Sequence, residues 1–272
     1  MTPYLAIIGA RFRMLLQYRV AALAGVWTQV FFGLVLVMVY EAFYRSARAS
    51  AQPIAFAQLA SYVWLGQALF AMVPWNVDSE LRAMVKTGAV AYELCRPVDL
   101  YGLWFARAVA QRTAPLVMRA LPLAVFAAVI LPALGLSGWR LTAPPSLAAG
   151  AAFAAALVCA VALACAMSTL INIVLLWTIA ADGVVILWTT AVSLGSGLTI
   201  PLPLLPDGAQ AVLRWLPFAG VFDLPFRLYT GALPAGALAS VLARQLGWTV
   251  ALVLLGRRLL ARGLRRIVVQ GG

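Results

Sequence analysis

Few residues in this sequence have side chains suited to catalysis, and their spacing decides what they can do. Its 272 residues include no histidine, which removes the commonest general base and the commonest metal ligand. Cys95, Cys159 and Cys165 form no CxxC pair, and the latter two stand six apart in an apolar stretch, on different helix faces. They read as small hydrophobes, with no disulfide framework or metal site. Three ionisable residues fall inside long apolar runs: Arg119, Asp182 and Arg244. Asp182 is the one clearly intramembrane acid, and a lone carboxylate lacks the partner that acid–base catalysis needs. No G-x-x-x-x-G-K-[ST] run is present to cradle a nucleotide phosphate. The expectation is a chain with no catalytic residues, no metal and no cofactor of its own.

The elements that carry these residues must lie in lipid. Hydrophobic residues make up 64% of the chain and charged ones 10%, whereas soluble domains hold about 45–50% and about 25%. A soluble fold of this size has too little interior for that much apolar surface. The net charge of +12 is spread between apolar runs rather than gathered on a patch. It records membrane orientation and contact with anionic lipid, not nucleic-acid binding. No cleaved signal is expected, because Arg11, Arg13 and Arg19 punctuate the N-terminal region and no small-residue cleavage site follows a short apolar core.

About 20 apolar residues cross a ~30 Å hydrocarbon core at ~1.5 Å per residue. Apolar stretches place spans near 20–40, 56–77 and 114–136, the first two uncharged and the last with Arg119 inside. From Leu141 to Leu198 the only charge is Asp182, and 58 residues would measure about 87 Å as one helix. Two spans are required, near 146–170 and 173–198, with the polar cluster Ser168, Thr169, Asn172 as the turn. A sixth lies near 237–260, with Arg244 early in it. The fold class is all-α integral membrane, and residues 1–272 form a single transmembrane domain. Inner segments then hold thirteen of the twenty basic residues, Arg107 and Arg112 among them, and outer segments five. That bias puts both termini in the cytoplasm.

Four segments carry more detail. Before the first span, Tyr4, Leu5, Ile8, Phe12, Leu15 and Leu16 share one arc of a helix opposite Arg13, as in a helix lying in the membrane interface. The alternative is an extension of span one. After span two, Asp78 or Ser79 can cap a short helix, Glu80 suits its positive start, Lys86 its negative end, and Gly88 its left-handed stop. A solvated loop is the alternative. Small residues from Ala148 to Ala156 in span four allow close helix packing, or a substrate groove. The proline-broken run from Ile200 to Phe218 is too apolar for an open loop and too broken for a span. It reads as short helices re-entering the outer leaflet, or as an interfacial loop with aromatic anchors.

An interfacial helix, six spans, a short inner helix and a re-entrant segment together resemble type-2 ABC exporter permeases. Two runs resemble a less characterised bacterial branch of that family. One is Gly88-Ala89-Val90-Ala91-Tyr92-Glu93-Leu94-Cys95-Arg96-Pro97, similar to the branch's Gly-x-Val/Ile…Leu-x-Arg-Pro loop. Its matching positions are Gly88, Leu94, Arg96 and Pro97. The other is the basic tail ending Gln270-Gly271-Gly272. The resemblance implies a bacterial inner-membrane permease that pairs with a second permease, the same or different, and with cytoplasmic ABC ATPase subunits that bind the ATP. It further implies that Glu80, Leu81, Arg82, Met84, Val85 and Lys86 form the coupling helix. On the residues alone, Leu81, Met84 and Val85 share one side of that helix; the resemblance implies that an ATPase grips it there. Two rivals remain: an intramembrane protease or transferase, which needs paired acids, a Ser/Lys dyad or histidines, and a secondary transporter, which needs repeated halves with broken helices.

Asp182 would sit about 15 Å deep in span five, where a charge costs about 2.5–3.5 kcal/mol and must face the bundle or a wet cavity. It can pair with Arg119, bind a cationic part of a cargo, or remain protonated and hydrogen-bonded. The topology is testable in a background lacking the native cysteines. Single cysteines at Ser46, Ser137 or Gly208 should react with an impermeant thiol reagent on intact cells. Cysteines at Thr87 or Gly271 should react only after lysis, and outside labelling of Gly271 defeats an even span count.

Overall fold

A computed structural model describes residues 3–46, 52–178 and 182–265. Arg48, Ala49 and the Gln-Gly-Gly tail lie outside the described residues. Secondary structure is helical throughout, with no strand among the described residues. The chain begins with α1 (Pro3–Leu16), which stops at a turn through Gln17 and Tyr18 before α2 (Arg19–Ser46). The N-terminal helix is therefore separate from the first long helix. It packs along α6, where the Tyr4 hydroxyl accepts a hydrogen bond from the Asp99 amide at 3.1 Å. The long helix α2 runs past Glu41 because that carboxylate is satisfied by Arg45 one turn on, at 2.9 Å, and by the Trp139 indole N–H at 3.1 Å.

Next, α3 (Phe56–Ala68) is buried on every side from Leu59 onward and ends in a tight turn at Phe70–Met72, ahead of Pro74. Two short helices follow, α4 (Ser79–Thr87) and α5 (Val90–Leu94). Then α6 (Leu100–Val125) passes through a π-helical stretch, Phe126–Ile130, into α7 (Leu131–Ala133), which makes a rod of 34 residues. Pro122 stands one turn before the wide stretch, and a missing amide donor favours such a local rearrangement. Ser146 caps α8 (Leu147–Val174) by accepting from the Ala149 amide at 3.1 Å. The remaining helices are α9 (Asp182–Gly195), α10 (Asp207–Leu213), α11 (Asp223–Tyr229) and α12 (Leu238–Leu264).

Among the described residues, four helical rods are long and apolar enough to cross a membrane: Arg19–Ser46, Leu100–Ala133, Leu147–Val174 and Ala235–Leu264. By contrast α3 and α9 have 13 and 14 residues, or about 20 Å of helix each. Two expected boundaries are corrected. The third expected span begins at Leu100, not near Ala114, so Arg107 and Arg112 are helical and buried rather than loop charges. A hydropathy reading counts their charge but cannot see the distant partners that neutralise it. The cluster Ser168, Thr169, Asn172 is not a turn either; it lies inside α8, which ends at Val174. Ser168 and Thr169 donate to the Ala164 and Cys165 carbonyls one turn back, each at 2.8 Å, so they leave the helix intact.

The helices close around α8. Its buried Ala152 and Ala156 meet Leu224, Leu228 and Val241 of α11 and α12, which matches close packing rather than a groove. The approach is tight enough for the Gln245 side-chain amide to bridge the Ala156 and Gly220 carbonyls, at 3.0 and 2.8 Å. The main core holds Trp64, Met72, Leu163, Met167, Phe222 and Phe226. Phe222 and Phe226 bring the segment between α9 and α12 into this core, while Trp215 in the same segment faces outward. Packing of α2 against α3 depends on Gly33. A Cβ there would come within 2.5 Å of the Trp64 ring, whose indole N–H is anchored on the Trp139 carbonyl at 2.7 Å. Gly33→Val should therefore cost about 1–3 kcal/mol, read as a lower melting temperature in detergent. An unchanged value would show that the two helices do not meet there.

Candidate functional site

One end of the bundle is organised by charge. Asp78 starts α4: its Oδ1 accepts from the amides of Glu80 and Leu81 at 2.9 and 3.3 Å, which satisfies two of the free donors of a helix start. Its Oδ2 accepts from Nε and Nη2 of Arg107, both at 3.2 Å, and its own amide donates to Asn172 Oδ1 at 2.9 Å. One residue thus ties α4 to α6 and to α8. Arg107 also bonds Glu80 Oε2 at 2.9 Å and Glu93 Oε1 at 3.4 Å, and Glu93 accepts from the Trp104 indole at 2.8 Å. Arg11 of α1 reaches Glu80 at 2.5 Å. Asp78, Glu93 and Arg107 are all buried. One turn further along α6, Arg112 donates to Ser168 Oγ at 3.0 Å and to the carbonyls of Val73 and Asn76 at 2.6 and 3.3 Å. Its charge is met by oxygen dipoles that cap the loop after α3.

This network fixes α4 in a set orientation. The cap at Asp78 and the left-handed Gly88, with φ of 75°, appear where the residue pattern puts them. Leu81 is 0% exposed and packs with Val90, Leu100, Trp104, Ile173 and Leu260, with Met84 half-buried against them. The expected gripping face is therefore corrected: Leu81 and Met84 turn inward, and Val85 is half-buried. The free side carries Ser79, Ala83, Lys86 and Thr87, while the exposed Glu80 turns its carboxylate to Arg11 and Arg107. Beyond Gly88, α5 turns Val90 and Glu93 inward, which leaves Tyr92, Leu94, Arg96 and Pro97 exposed beside it. Tyr92, at 78% exposure, is a large apolar contact that the residue pattern alone did not single out. An open groove of about 420 Å³, lined by Ile7, Arg11, Met84, Tyr92 and Arg96, separates this surface from α1.

The charged residues expected in the membrane interior fall elsewhere. Asp182 is not inside a span; it opens α9 with its side chain 78% exposed and pairs with Arg82 of α4 at 2.8 Å. The expected pair with Arg119 does not form. Arg119 lies against Gly25 of α2, and its Nε is buried without a hydrogen-bond partner among the described residues. The reason is the displaced break: ending α8 at Val174 puts Asp182 at the α4 end, not at mid-depth. Arg244 of α12 stacks its guanidinium 5.0 Å over the Trp215 ring at the other end. Asp99 was a missed signal for the start of α6. It follows Pro97 and precedes an apolar run, the pattern of a helix cap, and it accepts from the Gly102 amide at 2.9 Å. No cluster of His, Cys, Asp or Glu among the described residues is arranged to hold a metal.

The buried network should dominate stability at this end. Arg107→Met leaves Asp78 and Glu93 without their shared cation, a loss of about 3–5 kcal/mol. Arg82→Gln removes only the exposed pair with Asp182 and should change stability by no more than about 1 kcal/mol. Thermal unfolding of the two variants in detergent separates them, and equal shifts would contradict this ranking.

A family model described as ABC-2 family transporter protein matches residues 50–271. No curated protein matches the chain.

Proposed function

This chain belongs to the ABC-2 family of transporter proteins, the membrane components of ABC transporters, and on that premise we propose that α4 is the helix a cytoplasmic ABC ATPase grips. One observation carries the proposal: α4 is bound on its inward side and bare on its outward side. A helix of nine residues is marginal alone in water. Here Leu81 is seated in the core, and Asp78 is bonded to both Arg107 and Asn172. A push on Ser79, Ala83 or Lys86 is delivered through Asp78 to two of the four long rods at once. Gly88, Tyr92, Leu94, Arg96 and Pro97 continue the same bare surface and would extend the contact.

Six crossings are part of this proposal. The four long rods account for four, and α3 and α9 complete them as short crossings, tolerated because protein and loops cover the remaining depth. The segment from Ile200 to Phe218 is the re-entrant piece, with the burial of Leu202, Pro203 and Pro217 in its favour. Residues of α1, α4, α6, α8 and α12 meet in one cluster around Leu81, Leu100, Ile173 and Leu260, as an even number of crossings requires. The basic excess of that end supports its placement on the cytoplasmic side, and the family resemblance supports a bacterial inner membrane. A second permease, identical or related, would complete the pathway, and Trp27, Phe31 and Phe32 of α2 with Ile186 and Leu187 of α9 offer exposed apolar faces for it or for lipid. ATP belongs to the ATPase. The intramembrane-enzyme reading loses its acid, since Asp182 is exposed and paired.

The test acts on the bare face. Ala83→Asp combined with Lys86→Glu should abolish co-purification of ATPase subunits while leaving the permease's melting temperature within a degree or two, because neither side chain enters the core. Normal co-purification and ATP hydrolysis with the double variant would show that α4 is not the docking helix. Leu81→Asp is the wrong probe, since it places a charge without a partner in the core and should unfold this end.

A further inference from the structure

At the end of the bundle opposite α4, three arginines from separate stretches of chain line one cavity. It measures about 130 Å³ and is lined by Arg214, Arg227, Arg244 and Ser240, with Leu224 and Val241 among its apolar walls. Arg214 closes α10, Arg227 lies in α11 and Arg244 in α12. Their partners answer only part of the charge. Arg214 donates to the neutral side chain of Gln210, and Arg244 rests on Trp215 at 5.0 Å. Arg227 faces Asp223 Oδ2 at 3.7 Å, too long for a good hydrogen bond. Asp223 is buried and is the one carboxylate paired with the trio among the described residues; its other oxygen accepts from the Tyr62 hydroxyl at 3.0 Å. Three guanidinium groups against one carboxylate leave two positive charges.

The unpaired donors point to a ligand. Nε of Arg214 and Nε of Arg227 are both buried with no hydrogen-bond partner among the described residues. Buried donors are almost always satisfied, and leaving one unmade costs about 1–3 kcal/mol. Guanidinium forks match tetrahedral oxyanions, which can accept from several at once. The cavity holds about four water volumes, room for one such group and not for a whole lipid. Beside it Val212 and Trp215 face outward, and along α12 the half-buried Trp248 and the exposed Leu255 lie on the same side of the helix as Arg244. An exposed tryptophan next to arginines at the end of an apolar rod is the signature of the headgroup level.

We propose that this arginine cavity binds a phosphate-type oxyanion, presented by an anionic phospholipid whose acyl chains lie along α12. The lipid holds α10, α11 and the start of α12 together by supplying the anion that these three segments lack.

The test uses the purified full-length chain in mild detergent, stripped of lipid, with thermal unfolding and native mass spectrometry as readouts. Phosphatidylglycerol should raise the melting temperature of the wild type and remain bound, whereas diacylglycerol, which lacks the phosphate, should do neither. Arg214→Gln and Arg244→Gln, which leave the Asp223–Arg227 pair intact, should weaken the response at least tenfold. Ser240→Glu guards against variants that merely misfold: it puts a carboxylate at the cavity, so it should keep a wild-type melting temperature or better and lose the lipid response. Full stabilisation by inorganic phosphate alone, with nothing added by the lipid, would keep the oxyanion site and overturn its lipid source. No response of the wild type to phosphate or lipid, or equal responses in all three variants, overturns the proposal.

Discussion

A carboxylate and a guanidinium buried together are stable only when every remaining lone pair and proton finds a partner, and Asp78 with Arg107 meets that condition. Removing either group would strand the other in a medium that cannot solvate it. Three consequences follow from the partners that complete the pair. The helix start at Ser79 is fixed because Asp78 caps it. The first long rod after it can begin at Leu100, well ahead of its apolar centre, because Arg107 need not reach water. The fourth span stays helical through Asn172 because that side chain receives the Asp78 amide. The short helix, one rod's start and another's continuity are thus one arrangement.

The two ends of the molecule treat charge in opposite ways. At the α4 end two buried arginines, Arg107 and Arg112, are met by carboxylates, a hydroxyl and carbonyls in near-complete hydrogen bonding. At the far end Arg214 and Arg227 keep donors unmet. The first pattern suits an element that must transmit force without yielding, since satisfied polar networks hold a single geometry. The second suits a place where something outside the chain completes the structure. Between them the alanine-lined α8 packs its small side chains closely against α11 and α12.

Much of this was readable from residues whose consequences are local. The caps of α4 follow from Asp78, Glu80, Lys86 and Gly88, because helix ends are decided within a turn. The apolar arc of α1 and the last rod near 237–260 were legible for the same reason. Errors arose where a distant residue decided the outcome. Arg107 reads as a loop charge until Asp78 and Glu93 are known to surround it. Ser168 reads as a turn former until Arg112 is seen to bond it. Asp182 reads as a membrane-interior acid only if the helix break is put at Asn172, and one misplaced break moved it through much of the bilayer. The face of α4 was lost similarly: Leu81, Met84 and Val85 form an apolar stripe in any context, and only the surrounding helices reveal that the stripe is already occupied.

The bare side of α4 has a chemical property of some practical weight. Lys86 is the only lysine in the sequence, all other basic side chains being arginine, and it stands exposed in the last turn of that helix. An amine-directed acylating reagent therefore finds one side-chain target on the whole polypeptide. Occlusion of that amine by a bound subunit would register as a single-site loss of modification, with no engineered label. The chain thus carries an intrinsic reporter on the helix proposed to dock the ATPase.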